Sequence, residues 1–120
     1  MQVMDYGAAT SDNCVVVDGK CQMGQSAVKA AQSLHEQYSI PYSQIELTPM
    51  IGGNDTPNET FTLEDADTVS AFAAANGLAG VHHWSLDRDT DCSYPFASST
   101  CNSYGEAGTL GFTQRFAGKL

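Results

Sequence analysis

Positive charge is scarce in this chain. Five Lys and Arg stand against 14 Asp and Glu, a formal net charge of −9 over 120 residues. That balance excludes a nucleic-acid binder, which depends on basic patches that displace counterions. It argues equally against attachment to an anionic membrane surface. Long apolar runs are missing too: nothing approaches the roughly 20 residues that span a bilayer. The N-terminus lacks the basic, apolar, small-residue order of a signal peptide, so none is expected in this chain. There is no Cys-x-x-Cys, hence no zinc-knuckle or thioredoxin-type signature. There is no Gly-x-Ser-x-Gly elbow and no glycine-rich phosphate loop. A neutral partner such as a glycan remains compatible with the charge.

What is present fits one domain. Cys14, Cys21, Cys92 and Cys101 fall as two local pairs in Gly/Ser/Asp/Asn-rich loops. Four cysteines permit three pairings. The short-loop choice, Cys14–Cys21 and Cys92–Cys101, is the expectation, and it implies an oxidising, extracellular or periplasmic setting. Four free thiols in a cytosolic protein is the other possibility.

Residues 1–4 read as a short apolar strand stopped near Gly7. Residues 8–21 read as a loop, with Val15-Val16-Val17 able to form a brief strand. The clearest helix spans 23–38, where Ala27, Val28, Ala31, Leu34, His35 and Tyr38 recur at helical steps. Residues 45–51 read as a strand with Pro49 near its end. Residues 52–55 read as a glycine-opened loop. Thr62 caps a second helix, with Asp65 completing a variant capping box and Gly77 closing it. The stretch 80–86 reads as the next strand. A long polar segment, 87–108, follows, and Phe112, Phe116 and Leu120 share one face of a last short helix. The order alternates strand and helix, with connections that require parallel strands, so the fold class is α/β.

Trp84, the only tryptophan, ends the third strand just before a charged loop. It reads either as a rim aromatic or as a flat floor for a sugar ring. Asp87, Asp89 and Asp91 alternate as in a calcium loop. However, Cys92 occupies the position that needs glycine and Ser98 the position that needs Glu. The expectation there is a solvated acidic loop with Arg88 paired to one carboxylate. His82 and His83 are adjacent and face opposite sides of a strand, one inward and one toward a helix, so they do not form a zinc site. No metal and no cofactor are expected. The two sequons at Asn54 and Asn58 are taken as chance.

Three separated motifs carry a resemblance: Met4-Asp5-Tyr6-Gly7, Thr48-Pro49-Met50-Ile51-Gly52-Gly53-Asn54-Asp55 and Trp84-Ser85-Leu86-Asp87-Arg88-Asp89. In these, and along most of its length, the chain resembles bacterial chitinases of glycoside hydrolase family 18. The resemblance implies a partial (β/α)8 TIM barrel, with these segments as the sixth to eighth βα units. A whole barrel usually takes roughly 250 residues. The resemblance further implies that Tyr6 hydrogen-bonds the acetamido group of the cleaved sugar. Trp84 would be the stacking floor beneath that sugar, with Met4, Asp5, Met50, Asn54 and Asp55 at the substrate groove. The partner implied is chitin or an N-acetylglucosamine oligosaccharide. The mechanism implied is substrate-assisted, the acetamido oxygen attacking the anomeric carbon while a glutamic acid protonates the leaving oxygen. The Asp-x-x-Asp-x-Asp-x-Glu motif that carries that acid in the family is absent from this chain. The expectation is therefore a C-terminal barrel segment of a secreted chitinase. It would hold sugar-binding residues but not the acid, and it would need the N-terminal part of the barrel or a second copy to cover its edges. The alternative is a free-standing secreted module that binds a glycan or self-associates.

Overall fold

A computed structural model describes residues 2–5, 14–54 and 59–119, the first four as backbone only. Among the described residues the chain forms three α-helices and two sheets, in the α/β class. The first sheet is parallel, in the order β1 (Gln2–Asp5), β4 (Glu46–Pro49), β7 (Gly80–Val81). Its register sets Met4 against Thr48 and Leu47 against Val81. Helix α1 (Met23–Tyr38) connects β1 to β4, α2 (Leu63–Asn76) connects β4 to β7, and α3 (Gly111–Lys119) closes the chain.

Local chemistry explains the helix bounds. Thr62 Oγ1 accepts from Asp65 N at 3.1 Å, and Asp65 Oδ2 accepts from Thr62 N at 2.8 Å, which is the expected capping box. Gly77 ends α2 at φ +65°, where an L side chain is strained. Helix α1 packs on α2 through Gly24, whose absent Cβ would stand 2.9 Å from the Asp65 Cα. A bidentate contact from Arg115 to Asp67, at 2.8 and 2.7 Å, ties α3 to α2.

The buried side of the first sheet carries Ile45, Leu47 and Ile51. They meet Met23, Ala27 and Ala31 of α1, Ala66 and Val69 of α2, and Phe112 and Phe116 of α3. The helical stripe of α1 is narrower than its periodicity indicates. Tyr38 is exposed, and the buried residues of α1 run only from Met23 to Ala31.

The second sheet was not legible in advance. It orders β2 (Val16–Val17), β3 (Lys20–Gln22), β6 (Glu59–Phe61) and β5 (Gly52–Gly53). It is built wholly from the connections leaving the C-terminal ends of β1 and β4, so it lies at that end of the first sheet. The expected loops at 8–21 and 52–55 are therefore partly strand. Val16–Val17 does form the brief strand that its β-branched run favours. Gly52 is at φ +70°, and a Cβ there would collide with the Asn102 carbonyl oxygen, so the turn from β4 into β5 requires glycine.

Both cysteine pairs form as expected, Cys14–Cys21 and Cys92–Cys101. No helix among the described residues is long and apolar enough to cross a membrane.

Candidate functional site

Alternation along β4 and β7 separates two faces. Leu47, Val81 and His83 turn toward the helices. Glu46, Thr48, Met50, His82 and Trp84 fall on the opposite face, which no helix among the described residues covers, although Thr48 and Met50 are buried. The adjacent histidines thus diverge as their spacing requires. His82 Nε2 lies 3.3 Å from Glu46 Oε2 on the uncovered face. His83 stacks on Phe116 of α3, with ring centroids 5.9 Å apart.

Trp84 sits at the C-terminal end of this face and is 49% exposed. The strand expected over 80–86 is regular only at Gly80–Val81. Beyond it the ladder continues as single bonds, from His82 N to Leu47 O at 2.8 Å and from Trp84 N to Pro49 O at 2.8 Å. An isolated parallel bridge pairs Met50 with Trp84. The Trp84–Ser85 peptide is cis, and a 3₁₀ turn, Leu86–Arg88, follows at once. The Met50–Trp84 bridge is the last pairing and the 3₁₀ turn takes the chain out of the sheet, which leaves the indole at the rim.

Met50 is beside it but only 6% exposed. Asn54 is 5% exposed and turns its amide inward, Nδ2 donating to Met50 O at 2.9 Å and Gly52 O at 3.1 Å. Its Oδ1 is buried without a hydrogen-bond partner. Met4 and Asp5 lie on β1 at the register of Thr48 and Pro49, one strand away from the Met50–Trp84 bridge. Tyr6 and Asp55 lie outside the described residues. The backbone thus gathers Met4, Asp5, Met50 and Trp84 at one end of the first sheet, with Asn54 just beyond β5 of the second.

Two residues of this end were misread from sequence. Arg88 and Asp89 do not belong to a solvated acidic loop: they are 0% and 1% exposed. Arg88 lies under the strand ends and donates to backbone carbonyls. Nη1 reaches Ile51 O at 2.5 Å and Trp84 O at 3.4 Å, Nη2 reaches Gly53 O at 2.8 Å, and Nε reaches Ser98 O at 2.6 Å. Carbonyls that end strands lack ladder partners, and a planar five-donor guanidinium satisfies several at once. Asp89 caps α3 from 23 residues upstream, accepting from Phe112 N at 3.1 Å and Thr113 N at 2.7 Å. Asp91 is likewise engaged, with Ala107 N and Gly108 N at 3.2 and 2.6 Å.

His83, Thr113 and Asp89 form a chain. Thr113 Oγ1 donates to Asp89 Oδ2 at 2.6 Å, so it accepts from His83 Nε2 at 3.0 Å. The imidazole then carries its proton on Nε2, and Nδ1 is a buried lone pair without a partner. Burial holds the His83 pKa below its usual 6.5, and the Asp89 charge opposes that shift. Above pH 6.5 the ring is neutral folded and unfolded. As the pH falls below 6.5, the unfolded chain takes up the proton first, so stability is lost down to the folded pKa. The melting temperature is expected to fall over that window, with part of the slope removed in His83→Gln. Equal slopes for the two proteins in parallel pH-dependent melts would contradict the assignment.

No family model matches the chain. In an alignment of 98 positions that covers 74% of this chain, it is 34% identical to the probable bifunctional chitinase/lysozyme of Escherichia coli (strain K12). Over 98 residues it is also 34% identical to Endochitinase 11 of Metarhizium anisopliae. It spans only 11% and 19% of these two relatives. Its backbone superposes with a TM-score of 0.75 on the catalytic domain of the hyperthermophilic chitinase of Pyrococcus furiosus, at 24% identity, covering 98% of this chain and 39% of that one. Catalytic-site mutants of active domain 2 of that organism's thermostable chitinase, complexed with chito-oligosaccharides, give 0.75, 24%, 98% and 38%. The chain is thus similar in sequence to part of known chitinases and shares its fold with part of a chitinase catalytic domain.

Proposed function

We propose that this chain is the sixth to eighth βα units of a secreted chitinase barrel of glycoside hydrolase family 18, and that it supplies the wall and floor of the groove that holds β-1,4-linked N-acetylglucosamine. The observation that carries the reading is Trp84, half exposed at the C-terminal end of a parallel strand, on the sheet face that no helix among the described residues covers. A sugar ring presents a flat array of C–H groups, and an indole face is the side chain best suited to cover it. Chitinase similarity on both sequence and fold supports the choice of sugar. The partial-barrel reading is supported by β1 and β7, each with one strand neighbour among the described residues. It is supported also by an open apolar depression of about 350 Å³ beside β7, lined by Ala73, Ala74, Gly77, Leu78, Gly80 and Val81. A further βα unit would fill that depression.

In this reading the acetamido oxygen of the bound sugar is the nucleophile, Tyr6 orients that group and Trp84 holds the ring. The acid that protonates the leaving oxygen must come from outside this chain. The isolated chain is therefore expected to bind chito-oligosaccharides and to release no soluble sugar from chitin.

Trp84, as the sole tryptophan, reports its own occupancy. Titration with chitohexaose is expected to shift and saturate its emission. Trp84→Ala is expected to lose at least about tenfold in affinity by calorimetry. Emission indifferent to millimolar chitohexaose, or undiminished affinity in Trp84→Ala, would falsify the reading.

A further inference from the structure

The loop closed by Cys92–Cys101 has a composition unlike the rest of the chain. Its ten residues, Cys-Ser-Tyr-Pro-Phe-Ala-Ser-Ser-Thr-Cys, contain no charged side chain in a protein of net charge −9. Four of the ten carry aliphatic hydroxyls, and two are large aromatics. Tyr94 is 63% exposed and Phe96 is 79% exposed. Two exposed aromatics on one short loop mark a contact surface rather than a core satellite.

The loop is held in place. Besides the disulfide, Ser103 Oγ donates to Phe96 O at 3.4 Å, and Ser98 Oγ accepts from Thr100 N at 3.2 Å. Arg88 provides the link to the site. The guanidinium that reaches Trp84 O also reaches Ser98 O, so the loop and the Trp84 rim are fastened to one rigid group. A shallow, open depression of about 300 Å³ lined by Cys92, Ser93 and Tyr94 accompanies the exposed rings.

We propose that Tyr94 and Phe96 form a second stacking platform, which takes N-acetylglucosamine units of a β-1,4-linked chain beyond the unit held over Trp84. This rests on the reading of Trp84 as a sugar floor. A neutral polymer suits an uncharged surface of hydroxyls and aromatic faces. A second copy of the chain would bring a further −9 and be repelled at long range. A completing βα unit would join at the edges of β1 or β7, whereas this loop leaves the C-terminal end of the sheet. The disulfide and the hydrogen bonds to Phe96 O and Ser98 O hold the loop backbone, and an aromatic side chain has only two χ angles to order, so each ring adds affinity at small entropic cost.

The test compares diacetylchitobiose with chitohexaose by calorimetry, for the wild-type chain, Tyr94→Ala/Phe96→Ala and Trp84→Ala. Both loop rings are exposed, so the double variant is expected to melt with the wild type. The hexamer is expected to bind the wild type at least about tenfold more tightly than the dimer, and the double variant is expected to lose that advantage while its dimer affinity is unchanged. Hexamer affinity that falls in Trp84→Ala but not in the double variant overturns the second platform and leaves the Trp84 reading standing. A hexamer bound no more tightly than the dimer by the wild type also overturns it. Failure of the wild type to bind either sugar overturns both.

Discussion

Replacing Arg88 by Met is expected to destabilise the chain by about 3–5 kcal/mol, on the order of 10 °C or more in Tm. Met replaces the aliphatic stem of the side chain and none of its donors. The carbonyls of Ile51, Gly53 and Ser98 each lose a charged donor, and Arg88 has no exposed surface through which water could replace it. A buried acceptor left unpaired costs about 1–3 kcal/mol; Ile51 O takes the full cost, the part-buried carbonyls of Gly53 and Ser98 less, and the emptied guanidinium space adds the rest. Arg88→Lys is expected to recover less than half of it, because an ammonium presents one nitrogen where the guanidinium uses three. Thermal and urea unfolding measure the loss. The Trp84 emission maximum is expected to move in the same variant, since Nη1 also reaches the Trp84 carbonyl. A melt within about 2 °C of the wild type would show that the guanidinium does not hold these strand ends together.

Asp89→Ala comes next in size, at about 3 kcal/mol. Its carboxylate accepts the backbone N–H groups of Phe112 and Thr113 and the Thr113 hydroxyl, and it is 1% exposed. A cap is worth roughly 0.5–2 kcal/mol where water can stand in, and more where the freed N–H groups are buried. The loss should concentrate in α3, whose Phe112 and Phe116 close the core against Phe61. Amide exchange is the discriminating measurement. The amides of α3 should exchange faster in the variant while those of the middle of α1 follow global unfolding alone. Uniform acceleration across all three helices would mean that α3 is not a separable unit. Asp89→Asn keeps one acceptor oxygen and is expected to fall between the two.

Arg88 and Asp89 also mark where reading by sequence stops. Three consecutive charges, Asp87-Arg88-Asp89, are typical of a solvated loop, and that is how they read. What reverses the reading is not local. The acceptors of Arg88 come from the ends of β4 and β7 and from Ser98, and the donors to Asp89 come from α3. No periodicity or spacing brings residues 51, 88 and 112 together. The four-stranded second sheet was illegible for the same reason. Strands of two and three residues carry too little pattern to detect, and β3 pairs with β6 across 38 residues of sequence, Cys21 with Glu59.

The elements that were legible are those set by neighbours in sequence. Helix α2 announces itself through Thr62, Asp65 and Gly77, whose hydrogen bonds close within the first turn and whose αL cap needs only the glycine. Helix α1 follows from apolar residues at helical steps, and α3 from Phe112 and Phe116 one turn apart. The short disulfide loops follow from cysteines seven and nine residues apart. The parallel strand order follows from connections that contain a helix. Trp84 as the end of a strand was legible too, since an aromatic before Ser and charge stops a buried run. By itself, then, the sequence determined the helices, the α/β class and the end of a strand at Trp84, because each depends on interactions over a few residues, and it favoured the short-loop pairing of the cysteines that the structure shows. Only the tertiary structure decided that Arg88 is buried against the strand ends, that Asp89 anchors the last helix and that His83 faces the core while Trp84 is half exposed. Those outcomes depend on which backbone ends lack partners, and such vacancies exist only after the chain has folded.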